Sequence, residues 1–271
     1  MEWVVEFLLL LVQTIELRPY VFLFLAISLL FSKRMLGWKR TVALFLITWF
    51  IAFVCEFSST RIGIPFGFYY YTGATAGQEL YMSNIPFMDS LSFPFLLYAS
   101  YNVALVFVLP APSSGSTGGW VWQAQRCTSW PVVLLATMFF TFIDVVIDPV
   151  ALRGQHWFLG QLYGYPEPGI YFGVPLANFI GWAVVGCLSL ILYRMVERVR
   201  WIKAPPPKNV VKGDLLGGVG LYYGVLIFNL AVTFWIGESL IGMVGCFIYL
   251  PISLFLFLRL THCLTSLTRI S

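Results

Sequence analysis

The stretch 130–149, WPVVLLATMFFTFIDVVIDP, is apolar for long enough to cross a bilayer, yet it carries two carboxylates, Asp144 and Asp148, one helical turn apart near its end. A membrane span takes about 20 apolar residues at a rise of about 1.5 Å each. An Asp near the centre of such a helix costs roughly 2.5–3.5 kcal/mol on insertion scales, so acids kept inside one point to a site.

The rest of the chain has the same character. Of its 271 residues, 59% are hydrophobic and only 10% charged, and the mean hydropathy is +0.85. This composition belongs to polytopic membrane proteins and excludes soluble domains. The expected fold is an all-α integral membrane bundle forming a single domain over 1–271. Spans are predicted at 20–33, 39–57, 91–110, 131–148, 172–195, 214–236 and 239–259, with a shorter, more polar candidate at 3–17. In that first segment Glu2 and Glu6 stand where a signal peptide has basic residues, and no small-residue cleavage site follows, so it is expected to be retained.

If the seven firm spans alternate, Lys33, Arg34, Lys39 and Arg40 fall on one side with Arg194, Arg198, Arg200, Lys203, Lys208 and Lys212, and with Arg126, Arg259 and Arg269. The positive-inside rule makes that side cytoplasmic, which predicts an inner-membrane protein surrounded by lipid. Because these cations lie between hydrophobic runs, the net charge of +4 sets topology and does not indicate a nucleic-acid partner.

The other side receives 58–90 and 150–171, which carry only Arg61 and Arg153 and are crowded with Gly, Pro, Tyr and Phe. Segments so long and apolar are expected to fold back into the bilayer edge or cap a cavity. Arg61 either pairs with Glu56 or anchors a headgroup. Stretches 111–129 and 204–213 have the Ser, Gly and Pro content of flexible connections.

Polar groups converge in depth. Asp144 is 14 residues beyond Trp130, about 21 Å along the helix, and Glu56 is 17 beyond Lys39, about 25 Å. Asn178 reaches a similar level from the opposite direction. Thr137, Thr141, Asp144 and Asp148 form one stripe; Asn178, Trp182, Val185 and Ser189 share a face, as do Tyr222, Asn229 and Thr233. A polar-lined cavity between helices, opening away from the cytoplasm, accounts for them together. The Asn and Thr residues also suit plain interhelical hydrogen bonding, and Glu6 and Glu16 suit the interface.

Two carboxylates one turn apart in low dielectric cannot both ionise cheaply, and a carboxyl that keeps its proton in a dry pocket is a proton donor. The surrounding rings, Phe139, Phe140, Phe142, Trp157, Tyr163, Tyr165, Tyr171, Phe172 and Trp182, could stabilise a carbocation through their faces. Five scattered cysteines give no disulfide or zinc framework. His156 and His262 lack a third ligand at metal spacing. With neither a phosphate-cradling glycine loop nor a dinucleotide fingerprint, acid/base work without metal or organic cofactor is expected.

Three blocks carry a resemblance. The first is Leu36, Gly37, Trp38, Lys39 and Arg40, followed by Glu56, Gly63, Pro65, Phe66, Gly67, Tyr69 and Tyr71. The second is Asp144, Asp148 and Pro149. The third is Pro168, Gly169, Tyr171, Phe172, Gly173, Pro175, Asn178, Gly181 and Trp182. In this order they resemble the CruF-type membrane carotenoid hydratases, the carotenoid biosynthesis family that includes bisanhydrobacterioruberin hydratase. The resemblance implies addition of water across the terminal double bond of an acyclic carotenoid, a long polyene substrate, and other enzymes of the carotenoid pathway as partners. Asp144 or Asp148 would protonate the alkene, and Glu56 or the second Asp would take a proton from water. Asn178, Trp182, Tyr171, Phe172, Tyr69, Tyr71 and Trp157 would contact the substrate.

Three alternatives stand beside it. A carotenoid cyclase would capture the same cation with an internal double bond. A prenyltransferase is suggested by the spacing of Asp144 and Asp148, which could hold a diphosphate-bound Mg²⁺. An isoprenoid or lipid transporter would use the intramembrane acids as a proton path.

Overall fold

The computed structural model describes residues 2–109, 129–197 and 212–268. Among them are the helices α1 (Glu2–Leu17), α2 (Pro19–Leu36), α3 (Trp38–Ile62), α4 (Phe87–Val108), α5 (Trp130–Ala151), α6 (Leu176–Val196), α7 (Lys212–Trp235) and α8 (Ser239–Thr268). All but α1 are long and apolar enough to cross a membrane. The protein is therefore a polytopic helical membrane bundle, with α1 as an additional helix.

The centre of the bundle is α4, which packs against α2, α3, α5, α7 and α8. Its most apolar window is 78% buried, against 28% for α2 and α8, whose outer faces are left for lipid. A helix buried on all sides must be apolar all round, and the small residues Ala99, Ser100 and Ala104, all fully buried, let its neighbours approach.

Charges mark the two ends. At one, Arg34 faces Asp214 at 3.8 Å and Arg40 pairs with Glu197 at 3.1 Å, while Arg259 donates to the carbonyls of Val106 and Leu109. Arg126, Arg198, Arg200, Lys203, Lys208 and Arg269 lie outside the described residues, as do nearly all of 111–129 and 204–213. At the opposite end Arg153 pairs with Glu238 at 2.6 Å, and Arg18 with Glu79 at 3.2 Å.

That second end is closed by the two aromatic segments, which bind each other. Strand β1 (Tyr70–Tyr71) pairs antiparallel with β4 (Tyr163–Gly164), setting Tyr70 opposite Gly164 and Tyr71 opposite Tyr163; a small hairpin, β2 (Tyr81–Met82) with β3 (Ile85–Pro86), lies between. Gly63, in the left-handed conformation at φ 74°, ends α3. A side chain there would meet the Phe68 ring, with a Cβ only 2.6 Å away.

Several helices run past their expected ends, α2 to Leu36, α5 to Ala151 and α8 to Thr268, and three further boundaries lie beside the cavity residues. Helix α6 starts at Leu176 instead of 172, because Gly169–Gly173 and Tyr171–Val174 are tied by backbone hydrogen bonds and Pro175 forms the N-cap. Helix α3 runs on past 57 to Ile62. Helix α4 starts at Phe87 instead of 91, with the extended Pro86 as its N-cap, and this places Asp89 and Ser90 on a helix.

Candidate functional site

Beneath the paired segments is a cavity of about 140 Å³, walled by α2 through α7 and by Phe66, Trp157, two leucines and the tyrosines that the two segments contribute. Its acids come from three helices: Asp144 and Asp148 from α5, Glu56 from α3, and Asp89 from α4.

The α5 pair is held by Asn178 of α6. Its amide nitrogen, which carries two hydrogens, donates to Asp144 Oδ2 at 2.7 Å and to Asp148 Oδ2 at 2.8 Å. Asp148 also accepts from the Tyr163 hydroxyl at Oδ1 and from Tyr165 at Oδ2, 3.0 Å away. The two acids are thus unequal. Asp148 has three donors and is supported as an anion, whereas Asp144 is fully buried and its Oδ1 has no hydrogen-bond partner.

On the facing wall, Ser90 donates to Glu56 Oε2, and the Tyr71 hydroxyl lies 3.2 Å from Glu56 Oε1 and 2.6 Å from Asp89 Oδ2. The Tyr69 hydroxyl is 3.4 Å from that of Tyr71. Burial first, and the neighbouring carboxylates second, hold the Tyr69, Tyr71, Tyr163 and Tyr165 hydroxyls above the ordinary phenol range. These four side chains stay neutral and keep their protons for donation.

Between the two acid groups the wall is aromatic. The Trp182 ring stacks on Phe93 at 4.4 Å and sits against Phe140 at 4.7 Å, while Phe66 meets Phe93 edge-on at 6.1 Å. At the other end of the cavity Tyr20 stacks on Phe228 at 5.5 Å, next to Phe24 and Trp157. Such a site can protonate an apolar molecule and surround the resulting positive charge with ring faces.

The structure brings Asp144, Asp148, Glu56, Asn178, Trp182, Tyr69, Tyr71 and Trp157 together. Tyr171 and Phe172 do not join them: both sit on the turn before α6, where Tyr171 bonds Val174 through the backbone and Phe172 adopts φ 51°. Thr137 and Thr141 do not extend the acid stripe into the cavity; Thr141 donates back to the Thr137 carbonyl at 3.0 Å. Tyr222 donates to the Phe139 carbonyl instead of lining the space. Arg61 does not pair with Glu56; it stacks over Phe57, 3.4 Å from the ring centroid, and bonds Ser83.

Sequence reading missed Asp89, and it counted Tyr163 and Tyr165 as rings without seeing that they are donors to Asp148. The usable signal for Asp89 is Pro86, since a proline just before a run of helix formers marks a helix start.

The fold and the site define a class: an integral membrane bundle whose buried acids face an aromatic-walled cavity. The model of the carotenoid biosynthesis protein family matches residues 8–251, and the chain belongs to that family. It is similar to the bisanhydrobacterioruberin hydratase of Haloarcula japonica, with 27% identity over 193 residues, covering 70% of this chain and 56% of the relative. The chain thus matches just over half the length of that relative. No solved structure matches it.

Proposed function

We propose that this protein hydrates the terminal C=C of an acyclic carotenoid, yielding a tertiary alcohol. The observation that carries the reading is the inequality of Asp144 and Asp148, within a family of carotenoid biosynthesis. Asp144 holds the proton and delivers it to the terminal double bond. Asp148, supported by three donors, stays ionised beside it and offsets the positive charge that develops. Trp182, Phe93 and Phe66 face the tertiary cation, and water captures it on the side of Glu56. No electrons are exchanged, so the scheme needs no cofactor.

A cavity of about 140 Å³ suits the end group of a long polyene and not its full length. In this reading the remainder of the substrate lies in the bilayer. The end of the bundle carrying Arg34, Arg40, Arg194 and Arg259 is cytoplasmic, in the inner membrane, and the cavity lies toward the opposite face. Other enzymes of the carotenoid pathway would be neighbours in the same membrane.

The test is incubation of the purified protein with lycopene in oxygen-18 water. A labelled tertiary alcohol is expected. An unlabelled cyclic product would replace the hydratase with a cyclase.

A further inference from the structure

Asp89 is a cavity acid that the scheme above leaves unused. Glu56 and Asp89 come from different helices and meet at one phenol, that of Tyr71. A phenol has one hydrogen and can donate to only one of them at a time. The shorter contact, 2.6 Å, is to Asp89. The 3.2 Å contact to Glu56 is then satisfied when Glu56 carries a proton and donates it to the Tyr71 oxygen. Two carboxyl groups flanking one phenol in this way hold a single negative charge between them, and it rests on Asp89.

Burial points the same way. Glu56 is 2% exposed, and its two oxygens are taken up by Ser90 and Tyr71. Asp89 is only partly buried, lines the cavity, and is bonded to Tyr71 through Oδ2.

We propose that Asp89 is a further catalytic residue, the base that receives the proton of the attacking water, and that Glu56 is a positioning residue acting through Tyr71. The inference rests on the hydratase reading and divides its labour between two walls. The Asp144 O–H bond breaks as a C–H bond forms at the CH carbon of the terminal double bond, and the π electrons leave a tertiary cation on the other, disubstituted alkene carbon. A lone pair of water forms the C–O bond, and the second proton passes from that oxygen to Asp89. Water is consumed and nothing is oxidised. One proton returned from Asp89 to Asp144 through water restores the start.

The experiment compares wild type with Asp89→Asn, Asp144→Asn and Glu56→Gln, each purified and given lycopene in deuterium oxide. An inert wild type overturns the hydratase reading and this assignment with it. With an active wild type, Asp89→Asn is expected to lose on the order of 100-fold in hydration. It should still return substrate carrying deuterium at the CH carbon of the terminal double bond, because the cation forms and reverts. Asp144→Asn should give neither product nor deuterium. Glu56→Gln should lower kcat with little change in KM. Hydration by Asp89→Asn at the wild-type rate overturns the assignment, as does loss of deuterium uptake in parallel with hydration. Should Asp89→Asn not accumulate in the membrane, Tyr71→Phe keeps both carboxylates and removes their link. It is expected to show reduced hydration with deuterium uptake kept, and unchanged hydration would overturn the proposal.

Discussion

Gly181 on α6 faces Phe66 so closely that a Cβ there would sit 2.1 Å from the Phe66 ring. Phe66 is a cavity wall and stands edge-on to Phe93. The missing side chain at 181 therefore lets the loop after α3 press an aromatic ring against α6. Two effects oppose each other in Gly181→Ala. Helix propensity favours Ala by about 1 kcal/mol, while overpacking costs about 1–3 kcal/mol, and at 2.1 Å the clash wins. The variant should melt at lower temperature in detergent and hydrate more slowly as Phe66 is driven into the cavity. A Gly181→Ala/Phe66→Ala double variant should lose less stability than the sum of the two single changes.

Asp144→Asn is expected to lower hydration by about 10²–10⁴-fold, the usual contribution of a positioned acid, with expression preserved. Asn229→Ala is the control on the same cavity. Its amide donates to the Val225 carbonyl of its own helix at 2.9 Å, so it is expected to retain most activity. Turnover on lycopene, normalised to protein in the membrane, separates the two. Full activity of Asp144→Asn would refute the assigned proton donor.

Tyr163→Phe and Tyr165→Phe each remove one of the three donors to Asp148. Hydrogen bonds to a charged group are worth about 1.5–3 kcal/mol each. Either variant should lower the melting temperature and the hydration rate together. The double variant should lose more than either, because Asn178 would be left as the sole donor to Asp148 while still serving Asp144.

The spans, the α5 acids and Asn178 were legible for one reason: a polar residue inside an apolar run stands out against its background. Asp89 sits in YMSNIPFMDSLS, where the background is itself polar and reads as loop until Pro86 is taken as a helix start. The pairing of 70–71 with 163–164 joins residues far apart in sequence, and two-residue strands carry no periodicity to read. Tyr171 and Phe172 show the converse error. Their rings and the third block of the resemblance suggested the site, but the turn that holds them is tied by backbone bonds and neither side chain lines the cavity.

Arg18 had no visible role in the sequence, ending a short apolar segment like any interfacial cation. In the structure it and Glu79 have almost fully buried side chains, 1% and 0% exposed, and pair at 3.2 Å. Arg18 also donates to the Leu159 carbonyl at 2.7 Å, and Thr75 donates to Glu79. Leu159 lines the cavity, so one guanidinium ties the start of α2 to both aromatic segments that close it. Removing one partner leaves the other charge buried and uncompensated, which costs about 3–5 kcal/mol, whereas replacing both with apolar or neutral groups is often far milder. Arg18→Met and Glu79→Gln are each expected to be strongly destabilising, and the double variant is expected to lose much less than their sum. Equilibrium unfolding in detergent across this double-mutant cycle measures the coupling. Strict additivity would mean that the contact does not hold the closure together, and that the β1–β4 pairing does so unaided.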